Sequence, residues 1–208
     1  MSSPARGDLF IVSSPSGGGK TTLIRRLLEN PPGARLHFSV SHTTRPMRQG
    51  EQNGREYHFV SVAEFQAMVQ RDEFLEHNEV HDNIYGTSKA EVLPRLAAGQ
   101  DVILDIDVKG ARDIRTAYAD AVTVFIVPSS LAQLEERLRT RGLDSEEAVR
   151  KRLINAAREI DEAFSFQYVI VNDDLKRATL ELESVVRARR ATAARQAGRL
   201  ERIRREFR

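Results

Sequence analysis

Ser14-Pro15-Ser16-Gly17-Gly18-Gly19-Lys20-Thr21 is the stretch from which the fold of this chain can be read. It matches the phosphate-loop pattern G-x-x-x-x-G-K-S/T, except that Ser14 stands where the first glycine is expected. Glycine tolerates backbone angles that serine resists, so the first turn of the loop is the point in question. Leu9 to Ser13, just before it, has the length and apolarity of a buried strand. Thr21 to Leu28, just after it, reads as a helix. A loop in that setting directs successive backbone N–H groups and a helix N-terminus at phosphate oxygens. Lys20 is then placed for the β- and γ-phosphates, and the Thr21 hydroxyl for Mg²⁺. A flexible glycine-rich turn with a surface lysine would leave both flanking elements unexplained.

Beyond the loop, short apolar runs alternate with helical patterns. Val102 to Asp107, Val122 to Val127 and Tyr168 to Val171 read as strands. Lys109 to Tyr118, Leu131 to Arg139 and Ser145 to Phe164 read as helices. Such alternation implies an α/β fold with a parallel sheet flanked by helices. The stretch from His37 to Thr87 is richer in turns, with strand candidates at Phe38 to Ser41, Tyr57 to Val60 and around Phe74 to Leu75. A helix from Val62 to Arg71 lies within it. Ser61 with Glu64, and Ser88 with Glu91, form two capping boxes that open helices. No linker-like composition and no repeat divides the 208 residues, so one continuous domain is expected.

Composition narrows the function classes. The chain contains no cysteine, which excludes disulfide scaffolds, thiol catalysis and cysteine metal sites. A reducing, cytoplasmic setting is expected. No apolar run approaches the roughly 20 residues of a membrane span, and Met1 to Gly7 has no hydrophobic signal region, so neither a membrane partner nor secretion is expected. The net charge of +2 conceals an asymmetry. Arg187 to Arg208 carries nine arginines against Glu201 and Glu206, a net +7, leaving −5 for residues 1–186. Apolar residues recur in this region at helical spacing: Leu182, Val185 and Val186, then Leu200, Ile203 and Phe207. A helix that packs through the first three and exposes its arginines is therefore preferred over a nucleic-acid-binding arm, and nucleic acid is not an expected partner. His77 and His81 are four apart, but residue 78 is Asn, not the Glu of a metalloprotease helix, and neither is read as a ligand.

A phosphate loop specifies only a nucleotide phosphate, and the second substrate must be read elsewhere. Ser39-Val40-Ser41-His42-Thr43-Thr44-Arg45-Pro46-Met47-Arg48, Gly50-Glu51 and Gly54-Arg55-Glu56-Tyr57 resemble the guanylate kinase family. So do Phe74-Leu75-Glu76, Tyr85-Gly86-Thr87, Leu104-Asp105-Ile106-Asp107, the Arg137 to Gly142 segment and Val171-Asn172-Asp173-Asp174. These matches run in family order from about Leu9 to Asp174.

The side chains support this resemblance chemically. Arg45 and Arg48, three apart, suit one phosphate gripped by charge-assisted bonds, and Tyr57 and Tyr85 each offer a phenolic donor. Matching positions of the family bind the GMP phosphate; without the resemblance, exposed arginines and packed tyrosines would be the preferred reading. A Glu76 carboxylate suits the paired N1–H and N2–H₂ donors of guanine, whereas adenine presents an acceptor at N1. The resemblance assigns Ser41 and Thr87 to the same base. Asp105 and Asp107 close an apolar strand, where one or both orient Mg²⁺ through water or meet the acceptor nucleotide. Arg137, Arg141 and Arg152 match arginines of a closing lid over the transferred phosphate, and Asn172 matches a position near the adenine of ATP.

The resemblance thus implies ATP-dependent phosphorylation of GMP to GDP with Mg²⁺, a reaction of purine metabolism and GMP recycling. Catalysis would rest on Lys20, Arg45, Arg137, Arg141 and Arg152. It also implies a P-loop kinase core (1–36, 89–130 and 165–208), a small mixed α/β GMP-binding insertion (about 37–88) and a helical lid (about 131–164). Two other functions are open to such a fold: a non-catalytic, peptide-binding guanylate-kinase-like module, and a P-loop kinase for another monophosphate. The retained loop, Arg45, Arg48, Tyr57 and Tyr85 oppose the first, and Glu76 opposes the second. Oligomeric state is left open, a homo-oligomer included.

Overall fold

The computed structural model describes residues 6–29, 36–80, 82–140 and 146–208. At its centre lies β1 (Leu9–Ser13), buried at every position. Strand alternation sends Leu9 and Ile11 into one apolar cluster and Phe10 and Val12 into another. β1 pairs in parallel with β7 (Asp101–Asp105) and β8 (Val122–Val127). Outside these lie β2 (Leu36–Phe38) and β9 (Tyr168–Val171), giving the all-parallel order β2-β7-β1-β8-β9.

Parallel neighbours need crossovers, and helices cover both faces of the sheet. α1 (Lys20–Glu29) and α7 (Leu175–Arg190) pack on the Phe10 face through Leu23, Ile24, Leu27, Leu182 and Val186. α3 (Lys89–Ala97) and α4 (Val108–Ala117) pack on the Leu9 face through Val92, Leu96, Ala111 and Ile114. Each fully buried side chain of this size contributes roughly 1.5–3 kcal/mol of transfer free energy, so the sheet forms a rigid platform at whose carboxyl edge the phosphate loop emerges.

A second sheet, order β4-β3-β6-β5, combines β3 (His42–Thr43), β4 (His58–Phe59), β5 (Phe74–Val80) and β6 (Asn83–Ser88). α2 (Val62–Gln70) seals it with a small core of Phe65, Met68 and Phe74. The helical pair α5 (Leu131–Thr140) and α6 (Glu146–Asp161) closes on Leu134, Leu138, Val149 and Ala156, and a 3₁₀ turn (Glu162–Ser165) follows.

Several local expectations are revised. The predicted strand Phe38 to Ser41 is divided: β2 ends in the parallel sheet at Phe38, and β3 begins in the second sheet at His42. The strand near Phe74 extends to Val80, because antiparallel pairing with β6 carries it well past the apolar dipeptide. Ser61 and Ser88 accept from the backbone N–H groups of Glu64 and Glu91, as capping predicts, while the Glu91 carboxylate reaches His37.

The basic tail departs further from the sequence reading. α7 packs through Leu182, Val185 and Val186 as expected, but ends at Arg190, and α8 (Ala193–Glu206) starts after Thr192. Three arginines of the tail are only partly exposed and pair with buried carboxylates. Arg189 Nε lies 2.9 Å from Asp8 Oδ1, and Arg190 Nε lies 2.6 Å from Asp101 Oδ2. Arg195 reaches both, at 2.8 Å from Asp8 Oδ2 and 2.8 Å from Asp101 Oδ1. The two aspartates, at the feet of β1 and β7, are buried, and a buried carboxylate is tolerated only when paired. Leu200 and Ile203 of α8, and Phe207 just after it, are exposed. No helix among the described residues is long and apolar enough to cross a membrane.

Candidate active site

The phosphate loop spans the gap between β1 and α1. Gly17 (φ +90°) and Gly19 (φ +93°) occupy the left-handed region, where a side chain is strained. Ser14 is not among the positive-φ residues, so the first loop position makes no demand for glycine. It is buried, and its hydroxyl donates to the Pro15 carbonyl at 2.9 Å. The Ser16 N–H donates to Glu159 Oε2 of α6 at 3.2 Å, so a carboxylate from α6 lies against a backbone amide of the loop.

Lys20 extends from the first turn of α1 towards the carboxyl end of β7. Its Nζ lies 2.5 Å from Asp105 Oδ1 and donates to the Ile106 carbonyl at 3.0 Å. The Thr21 hydroxyl donates to the other oxygen, Asp105 Oδ2, at 2.6 Å. Asp105 therefore closes β7 facing the loop. Asp107 lies beyond the strand end: it is the N-cap of α4, with Oδ1 accepting from the Gly110 N–H at 2.8 Å. The two aspartates expected on one strand thus occupy different structural positions.

The second sheet faces this loop across a cavity lined by Ser14 to Thr22, Ser41, Tyr57, Glu76, Asn78, Tyr85, Asp105 and Asp107. Glu76 enters it from β5 and is only 8% exposed. Burial pushes its carboxyl up to about 7, the Asp107 and Asp113 charges add to the rise, and a 2.6 Å bond from the Thr87 hydroxyl opposes it. Pairing of Glu76 with Thr87 across β5 and β6 places both on one surface.

A contiguous cavity shares Thr21, Ser41, Tyr57, Tyr85 and Asp105 with the first and adds Arg45, Arg48, Arg25 and Arg55. Arg45 Nη2 is 2.7 Å from Glu51 Oε1, and its guanidinium stands 5.5 Å from each of the Tyr57 and Phe59 ring centres. Glu51 also accepts from the Arg48 N–H at 2.7 Å, and these contacts hold its carboxyl below the usual range, the Arg45 bond foremost. Tyr57 is pushed up to about 12 by burial and then by the Asp105 charge, which keeps its phenol a donor.

Behind the loop lies a further cavity lined by Gly17, Gly19, Thr22, Arg137 and Asn172. Asn172 Nδ2 donates to the Gly18 carbonyl at 2.9 Å, and its Oδ1 is buried without a hydrogen-bond partner among the described residues. Arg137 Nη2 donates to the Asn172 carbonyl at 2.8 Å and Nη1 to the Gly18 carbonyl at 3.4 Å, which ties α5 to the loop. Arg152 is half-buried on α6 and lines none of these three cavities. Arg141 and His81 lie outside the described residues. The described residues contain no cluster of three or more His, Asp or Glu arranged to hold a metal ion.

Glu159, Asn78 and Glu51 line or brace the site and were not anticipated. Asn78 had a legible signal, since alternation along β5 puts it on the Glu76 face. Glu159 had none, because its approach to Ser16 depends on how α6 folds over the loop.

A five-stranded parallel sheet with a phosphate loop after its first strand, facing a separate sheet that presents arginine, tyrosine and acidic side chains across a shared cavity, is the architecture of a P-loop kinase of small-molecule phosphate acceptors. Residues 6–189 match the protein-family profile described as guanylate kinase. The chain is 52% identical over 182 residues to the guanylate kinase of Dechloromonas aromatica, covering 88% of this chain and 89% of that one. It is 50% identical over 198 residues to that of Neisseria meningitidis serogroup A, covering 95% and 96%. A crystal structure of guanylate kinase from Anaplasma phagocytophilum superposes with a TM-score of 0.78 at 32% identity, covering 98% of this chain and 96% of that one. The chain belongs to the guanylate kinase family.

Proposed function

We propose that this chain transfers the terminal phosphoryl group of ATP to GMP, giving ADP and GDP in the cytoplasm. The observation that carries the proposal is the buried Glu76 carboxylate, held by Thr87, in the same cavity as the phosphate loop. An acceptor whose base offers two adjacent N–H donors would satisfy that carboxylate, and guanine does so through N1–H and N2–H₂. Ser41 completes the base end. Arg45, Arg48, Tyr57 and Tyr85, gathered in the contiguous cavity, take the GMP phosphate, with Arg45 released from Glu51 as the anion enters.

On the donor side, residues Ser14 to Thr21 cradle the ATP phosphates, and Asn172, which lines the cavity behind the loop, lies towards the adenine end. The Thr21 hydroxyl and the Asp105 carboxylate are hard oxygen donors of the kind Mg²⁺ takes, completed by water and phosphate. When bound, the ion neutralises phosphate charge. Asp107, as the cap of α4, approaches the acceptor nucleotide from the other side. Arg137, Arg141 and Arg152 belong to the lid, about 131–164, which closes with the GMP-binding region, about 37–88, over the core (1–36, 89–130 and 165–208).

No general base is required, because a nucleoside monophosphate loses its second proton at about pH 6 and its attacking oxygen is already ionised at neutral pH. The protein's task is to bring two polyanions into line, exclude water and supply cationic charge. A coupled ADP-release assay with GMP, AMP, IMP, CMP and UMP tests the proposal. Turnover with GMP far above the others is expected; equal or better turnover with another monophosphate refutes it.

A further inference from the structure

α4 packs against β5 beside the base-end cavity, and it bears on Glu76 in two ways. At Gly110 a Cβ would fall 2.7 Å from Glu76 Oε2, so the helix presents bare backbone where the carboxylate lies. Three residues on, Asp113 Oδ2 accepts from Asn78 Nδ2 at 2.9 Å. The same Nδ2 stands 3.5 Å from Glu76 Oε2. Glu76 Oε1 is meanwhile held by the Thr87 hydroxyl at 2.6 Å.

We propose that Asn78 and Asp113 are positioning residues that, with Gly110, fix the plane of the Glu76 carboxylate against α4 and so contribute to base specificity. The inference rests on GMP being the acceptor. The terminal torsion of a glutamate is soft, and one hydrogen bond from Thr87 leaves the second oxygen free to swing. Two parallel bonds to a purine edge need both oxygens in one plane. Asn78 supplies the second point of restraint, and Asp113 fixes Asn78.

Asp113 also acts through its charge. The charged groups facing Glu76 are Asp107 and Asp113 from α4; β6 contributes the neutral Thr87 and β5 itself the neutral Asn78. Both aspartates favour the protonated carboxyl, which cannot accept two bonds. Asp113→Asn keeps an acceptor for Asn78 while removing one charge, so position and charge can be separated.

The test compares the full-length wild type with Asn78→Ala, Asp113→Ala and Asp113→Asn. Steady-state kinetics with GMP and IMP are measured from pH 5.5 to 9, and the Glu76 carboxyl carbon is titrated by NMR in ¹³C-glutamate-labelled protein, assigned with Glu76→Gln. Asn78→Ala and Asp113→Ala should each raise the KM for GMP about two- to tenfold, the range of one net hydrogen bond, and narrow the GMP-to-IMP preference. kcat and the KM for ATP should stay within about twofold. Asp113→Asn should keep that preference but move both the acid limb of kcat/KM and the Glu76 titration to lower pH. An unchanged GMP-to-IMP ratio in Asn78→Ala, or an unmoved Glu76 titration in Asp113→Asn, overturns the inference. If the wild type prefers another monophosphate, the acceptor assignment fails instead, and the NMR titration still decides whether α4 acts on Glu76.

Discussion

Lys20 Nζ lies 2.5 Å from Asp105 Oδ1, so the ammonium of the phosphate loop is held across the site by the carboxylate that closes β7. The same carboxylate accepts from the Thr21 hydroxyl, which gathers the Lys20 and Thr21 side chains at one point. Lys20→Ala should therefore leave the fold intact, with a thermal midpoint within a few degrees of wild type, and lower kcat by about 10²–10³-fold. Activity and melting measured on the same preparation check this. Near-native turnover would remove Lys20 from the phosphoryl-transfer machinery.

Arg45 and Arg48 lie in a cavity that is contiguous with the loop but opens on the second sheet. Replacing either with alanine should raise the KM for GMP at least tenfold and that for ATP less than about twofold. The loss is of a charge-assisted phosphate contact made on the acceptor side alone. Equal effects on both substrates, in a two-substrate steady-state analysis, would contradict this division of the site.

Glu76→Gln puts an N–H₂ donor where an acceptor oxygen is needed, so one of two bonds to guanine is lost. kcat/KM for GMP should fall by about 5- to 150-fold, equivalent to about 1–3 kcal/mol. IMP keeps N1–H but lacks the 2-amino group, so the wild-type preference for GMP over IMP should shrink. Parallel losses for both nucleotides would mean that guanine is read by other residues.

The same substitution makes a stability prediction with a definite sign. The Glu76 carboxyl is raised to about 7 in the folded protein from an ordinary value of 4.5. Between those values the native state binds more protons than the unfolded one, so this group's contribution to stability falls as pH rises through the window and is flat above it. Glu76→Gln escapes that loss. Its thermal midpoint should exceed that of wild type at pH 8, by at most about 3 kcal/mol of stability, and the advantage should vanish near pH 4.5. A constant difference across the range would show that Glu76 is not buried in its protonated form.

Truncation of the tail separates stability from catalysis. Removing residues 191–208 deletes Arg195 and leaves buried Asp8 and Asp101 one arginine short, at a cost of about 2–3 kcal/mol. Removing residues 197–208 spares it. The longer truncation should melt well below the shorter one, with kcat per folded molecule unchanged in both. Equal melting would assign the arginine contacts no energetic weight. Salt-sensitive RNA binding lost on truncation would restore the nucleic-acid reading of the tail.

The residues proposed to face the acceptor were legible only through the family resemblance, whereas the sequence by itself determined the parallel sheet and the phosphate loop. Each of these is written in local order: apolar runs of strand length, helical periodicity, and a glycine–lysine–threonine turn between them. It also determined the packing face of α7, since Leu182, Val185 and Val186 share one helical side. Tertiary structure alone decided which charges meet. Asp8 and Asp101 are far from Arg189, Arg190 and Arg195 in the chain, and only the parallel pairing of β1 with β7 brings the two aspartates to one end of the sheet. The separation of Asp105 from Asp107 depended on where β7 stops and α4 begins, a boundary fixed by the Gly110 N–H finding a cap. Asn78 and Asp113 meet only because α4 packs on β5, and no periodicity within either segment encodes that distance. Side-chain charge is a local property, but its partner, burial and protonation are set by what the fold places beside it.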